Sequence, residues 1–152
     1  MSDMLLLLFC FSVTMVALAA AKAPGLTFDH YSITVEDLDI SAAFYGEVLS
    51  LPEIENKTQK ETIRWFSMGP QMELHLIEGN TEKIHMIQRI HLALKTSDLD
   101  SLLENLEAND IYYASAYGKP NTYNTRPDGV RQIYFQDPDG YWIEVNDVAA
   151  QQ

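Results

Sequence analysis

Apolar and polar positions alternate along residues 30–35, with Tyr31, Ile33 and Val35 on one side and His30, Ser32 and Thr34 on the other. A period of two predicts a half-buried strand. Asp37-Leu38-Asp39 follows, and then Leu38, Ala42, Tyr45 and Leu49 recur at helical spacing. The same phrase returns at His91: an alternating run, then Asp98-Leu99-Asp100, then the apolar stripe Leu99, Leu102, Leu103, Leu106. Both copies read His, six residues, Asp-Leu-Asp. Ser97 with Asp100 resembles a helix cap, and acidic charge is favoured at a helix N-terminus. Each helix leads into three strand-like runs, near 52–57, 62–68 and 72–78 in the first copy and near 111–117, 130–136 and 141–146 in the second. Gly69-Pro70 and Asp137-Pro138-Asp139-Gly140 have the chemistry of tight turns between the last two runs of each. The pattern predicts an α+β fold of two βαβββ modules, 26–80 and 88–148, in one domain over 26–148. The polar segment 79–88 is the joint.

The strand faces carry the chemistry. Met72, Leu74 and Leu76 oppose Glu73 and His75; Leu92 and Leu94 oppose His91, Ala93 and Lys95; Tyr141, Ile143 and Val145 oppose Trp142, Glu144 and Asn146. With His30 on the polar side of its own strand, four strands each pair an apolar face with one bearing His or Glu. A solvated antiparallel sheet also alternates. Here, however, the histidines open equivalent strands of the two modules and the glutamates lie on the last strand of each. That predicts curved mixed sheets with helices outside and a polar cavity inside.

Residues 1–21 are a separate object. Met4 to Ala21 is almost unbroken apolar sequence ending in small residues, as in an export signal cleaved after an A-x-A pattern. The expected location is periplasmic or secreted, with no stable membrane association once the signal is cleaved. An uncleaved N-terminal anchor is the alternative, since the run can just span a bilayer. The remainder is apolar enough for a core, with 47% hydrophobic residues over the whole chain. A formal net charge of −12 argues against a nucleic-acid partner. Cys10 is the single cysteine, which excludes an intrachain disulfide and a Cys-rich zinc site. A transition-metal site must therefore use His and carboxylates, from among His30, His75, His85 and His91.

Four stretches together resemble the vicinal oxygen chelate superfamily of glyoxalase I, bleomycin-resistance proteins and extradiol dioxygenases: FDHYSITVEDLDISAAFYGEVLSL, GPQMELHLIE, IHLALKTSDLDSLLENLEANDI and YFQDPDGYWIEV. The last is the most specific, an Asp-Pro-Asp-Gly turn entering an aromatic-x-Glu strand. The resemblance implies one divalent metal ion (Zn, Ni, Fe or Mn) in a cup of eight strands. Its ligands would be His30, His91, Glu144 and Glu73, with His75 as the alternative to Glu73. Two histidines and a carboxylate with open positions suit such ions. His85, in the joint, reads as an exposed residue.

The implied chemistry is that of a glyoxalase-like lyase or isomerase on a small substrate with two neighbouring oxygens, with Glu144 or Glu73 moving a proton between adjacent carbons. An extradiol-type dioxygenase would need His30, His91 and Glu144 alone. A non-catalytic ligand-binding protein of the bleomycin-resistance kind is the third reading. Glyoxalase I holds glutathione with a basic residue where this chain has Thr34 and an Asn where it has Ile77, so glutathione use does not carry over. Arg126 and Lys119, in the long loop 117–132, and Trp142 are the expected ligand-binding residues. A cup needs two facing modules, from one chain or exchanged in a homodimer.

Overall fold

A computed structural model of the protein describes residues 27–148. The export signal expected at 1–21 lies outside the described residues, and no helix among those residues is long and apolar enough to cross a membrane. Strand β1 (His30–Val35) leads to helix α1 (Leu38–Ala43), which widens into a π-helical turn over Phe44–Val48. Strands β2 (Glu53–Ile54), β3 (Ile63–Ser67) and β4 (Glu73–Glu78) complete the first module. The second runs β5 (His91–Lys95), α2 (Leu99–Ala108), β6 (Tyr113–Ala114), β7 (Asn124–Thr125), β8 (Arg131–Gln136) and β9 (Trp142–Asn146). The first sheet has the order β1-β4-β3-β2 and the second β5-β9-β8-β6, with β7 added on β8. In each module the first strand pairs parallel with the last, as a crossover through a helix requires.

Local chemistry explains the element boundaries. The Asp37 carboxylate accepts hydrogen bonds from the Asp39 and Ile40 amides at 3.0 Å and so starts α1. Asp98, not Ser97, caps α2, accepting from the Ser101 amide at 3.0 Å. Gly140 adopts φ 87°, the left-handed conformation that its turn needs and glycine supplies without strain.

Apolar strand faces and helices share one core. Val35, Leu74, Leu76, Leu99, Leu106, Ile133 and Ile143 are fully buried in it. Phe44 of the first module meets Phe135 of the second with ring centroids 6.3 Å apart. The 137–140 turn joins the modules. Asp139 accepts from the Glu36 amide at 2.7 Å and the Ser41 hydroxyl at 2.8 Å. Asp137 accepts from the Tyr45 hydroxyl at 2.7 Å, and the Tyr141 hydroxyl donates to the Thr34 carbonyl at 2.9 Å.

Burial pushes the Asp137 carboxyl up to about 6, against the opposing pull of its hydrogen bonds from Tyr45 and the Tyr141 amide. The folded chain therefore holds this proton more tightly than the unfolded chain, where Asp titrates near about 3.9. Stability from this group is fully present below that value and falls as pH rises from about 4 to about 6. Urea midpoints of Asp137→Asn should vary less across this window than those of the wild type; an unchanged pH profile would refute this role.

Candidate metal centre

The polar face of the first sheet presents His30, Ser32 and Thr34 from β1, Glu73, His75 and Ile77 from β4, and Trp65 from β3. Parallel pairing sets His30 beside Glu73 and Ser32 beside His75, and antiparallel pairing sets Trp65 beside His75. The His75 ring lies between two others. Trp65 stacks on one face at 4.0 Å and 8°, and His30 on the other at 4.3 Å and 14°. His75 Nε2 is 2.9 Å from Glu73 Oε2, and His30 Nδ1 is 2.7 Å from Asp29 Oδ2. Carboxylates only accept, so those nitrogens carry the protons. In the neutral rings the lone pair of His30 is on Nε2, and that of His75 on Nδ1.

On the second sheet, His91 Nδ1 donates to the Gln88 carbonyl at 2.8 Å. Its Nε2 faces Glu144 Oε2 at 3.3 Å. Glu144 is buried and fixed at both oxygens: the Tyr134 hydroxyl donates to Oε2 and Asn146 Nδ2 to Oε1 at 3.1 Å. Gln132 Nε2 donates in turn to the Tyr134 oxygen at 3.2 Å. Burial, then the bond to Glu144, holds the Tyr134 hydroxyl well above its ordinary range, so it stays a donor. A nitrogen this close to a carboxylate oxygen is a favourable contact when a proton or a metal cation lies between them. Imidazole nitrogen with carboxylate oxygen is a donor set that fits a divalent transition metal.

The five candidate ligands form two groups rather than one. His30, Glu73 and His75 lie on the first sheet and His91 and Glu144 on the second. Among the described residues no group of three or more His, Cys, Asp or Glu is placed to hold a metal ion. The strands bearing His30 and His91, β1 and β5, are each the edge of their sheet. His85 is exposed in the joint.

The remaining expected residues lie elsewhere. Arg126 precedes β8 and pairs with Asp128. Lys119 is exposed in the preceding loop, where its amide donates a hydrogen bond to the Ser115 hydroxyl at 3.2 Å. Trp142 is half-buried beside His91 and lines a cleft with Phe44, Tyr112, Phe135 and Pro138. Tyr134, Gln132 and Trp65 are participants that strand alternation could have shown, since each shares the polar face of its strand.

The chain matches the model of the Glyoxalase/Bleomycin resistance protein/Dioxygenase superfamily over residues 27–145. It is 30% identical over 122 residues to "Uncharacterized protein YwbC" of Bacillus subtilis (strain 168), covering 76% of this chain and 93% of that protein. A glyoxalase/dioxygenase from Nostoc punctiforme is similar in structure, with TM-score 0.66, 26% identity, and coverage of 86% of this chain and 98% of that one. A lactoylglutathione lyase from Agrobacterium tumefaciens shares the fold at TM-score 0.60 and 19% identity, over 83% of this chain and 96% of that one. The repeated βαβββ modules and the 27–145 match together show that this chain belongs to the glyoxalase/bleomycin resistance/dioxygenase superfamily.

Proposed function

We propose that this protein is a metal-dependent, glyoxalase-like lyase or isomerase acting on a small substrate with two neighbouring oxygens, in a site shared by two copies of the chain. The observation that carries this reading is the state of the imidazoles and of Glu144. His30, His75 and His91 each have one nitrogen tied to an oxygen acceptor, so that in the neutral ring the other nitrogen can ligate. This is how proteins fix the tautomer of a histidine ligand. Because one chain holds its donors in two groups, one on each sheet, a second copy would complete the set, with the first-sheet group of one chain facing His91 and Glu144 of the other.

The bound ion would supply Lewis acidity to the substrate's two oxygens. Glu144, held at both oxygens, orients. Glu73 is 32% exposed, is held only by His75, and is the freer carboxylate. It removes the proton from the carbon beside the substrate carbonyl and returns it to the adjacent carbon. The His30, His91 and Glu144 triad by itself favours a second reading, an extradiol-type dioxygenase. An exported location is part of the proposal and rests on residues 1–21.

Elemental analysis of the purified full chain, with proton exchange followed by NMR in deuterated water on small α-hydroxycarbonyl compounds, tests the function. Bound zinc or nickel with deuterium at the carbon beside the carbonyl is the expected result. Bound iron with oxygen uptake on catechols would move the assignment to the dioxygenase. No metal after reconstitution would remove both readings.

A further inference from the structure

We propose that the apolar cleft along the free edge of β5 binds an amphipathic anion, a free single alkyl chain ending in a carboxylate, with Lys95 as the headgroup contact. The cleft has a volume of about 770 Å³ and is bordered by both modules. Phe28, Met68 and Met72 line it from the first module and Leu92, Leu94 and Leu102 from the second. None of the five candidate metal ligands lines it, so the inference stands apart from the metal reading.

The fold explains why the cleft is open and apolar. β5 is the edge of the second sheet and pairs only with β9. Every residue from Leu92 to Thr96 borders the cleft, so the strand meets it along its unpaired edge. Met68, Leu94 and Leu102 are partly buried and pack on the common core. Phe28 and Met72 are 56% and 38% exposed and form the rim. A concave apolar surface with the core behind it and water in front is stabilised by taking up a hydrocarbon chain.

Charge selects the occupant. The chain has 22 acidic and 10 basic residues, yet no acidic residue lines the cleft and Lys95 is the only charged residue that does. Lys95 makes no ion pair among the described residues. The other polar side chains of the cleft are engaged elsewhere. Thr96 Oγ1 accepts from the Asp98 amide at 3.0 Å. Asn146 Nδ2 donates to Glu144 at 3.1 Å, and its Oδ1 accepts from the Val148 amide at 3.3 Å. A seated ligand therefore meets apolar walls and one ammonium. A neutral hydrocarbon makes no use of that ammonium, and an alkyl ammonium is repelled by it. An alkyl carboxylate suits both, with its tail against the leucines and methionines and its headgroup at Lys95.

Isothermal titration of the full chain with octanoate, decanoate and dodecanoate, each below its micelle concentration, tests this. Affinity should rise about fourfold for each added methylene, the gain from burying that group in an apolar site. Lys95→Met keeps the apolar stem and loses the charge. It should bind dodecanoate about fivefold more weakly and dodecanol as the wild type does. Met72→Glu and Phe28→Glu change exposed rim positions, where the fold tolerates a charge, and each should remove dodecanoate binding. A flat chain-length series would overturn the proposal, as would unaltered dodecanoate binding in the two glutamate variants or in Lys95→Met. So would a chain that binds no alkyl carboxylate while Met72→Glu turns a dimer into a monomer in sedimentation, a result that would make the cleft a face between copies.

Discussion

On the proposed metal-dependent function, Glu144→Ala is expected to lower the affinity for a divalent metal by at least about 100-fold, the upper range seen when even an outer partner of a metal ligand is removed. Glu144 is the one carboxylate of the second sheet's polar face that is buried and bonded at both oxygens, by Tyr134 and Asn146. Its removal takes away a donor and leaves the Tyr134 hydroxyl without its acceptor, which costs about 1–3 kcal/mol of stability. Glu144→Gln separates the two effects. The amide oxygen can still accept from Tyr134, so stability changes little, but the negative charge is gone and metal is lost. Isothermal titration with zinc, beside urea unfolding of the metal-free proteins, reads both. A Glu144→Gln variant that binds zinc as the wild type does would contradict the role given to this residue.

Phe135→Ala should destabilise the fold by about 3–5 kcal/mol, the usual cost of emptying a buried phenylalanine site. Phe135 is 1% exposed on β8, and its ring meets Phe44 of the other module. The loss is a large part of the about 5–15 kcal/mol that holds a typical domain together. Because one core serves both modules, the variant should still unfold in a single transition at a lower urea midpoint. Two separated transitions, with the first module unaffected, would show that the modules fold independently.

The repeat, the strand faces and the connecting turns were legible because they depend on periods of two and 3.6 and on local turn chemistry. Ile33, Val35, Leu74, Leu76, Ile143 and Val145 all lie in the core as alternation requires, and His30, Glu73, His75, His91 and Glu144 all lie on the opposite faces. Pairing register was not legible. A slip of two residues leaves every side chain on its face but changes its neighbour. The two modules differ by such a slip, visible as His30 against Glu73 but His91 against Trp142. Aligning the last strands by sequence equates Glu73 with Glu144; their pairing does not.

Smaller features escaped for local reasons. The π-helical turn at Phe44–Val48 has no compositional mark. Strand β7 is two residues inside a polar loop. Ser97 and Asp98 are both good capping residues, and only side-chain geometry selects Asp98. Tyr134 and Trp65 lie on predicted strands, but their contacts to Glu144 and His75 depend on antiparallel register.

In the proposed function one chain carries two incomplete halves of a metal site and a second copy completes it. Mixing His30→Ala with Glu144→Ala tests it directly. Neither variant alone has an intact site. In a mixed dimer the first-sheet group of the Glu144→Ala chain meets the second-sheet group of the His30→Ala chain, making one complete site. After unfolding and refolding together, the mixture should bind about a quarter of the wild-type metal, the share that random reassortment in a two-fold dimer gives. Binding that stays at the level of the separate variants would contradict the shared site.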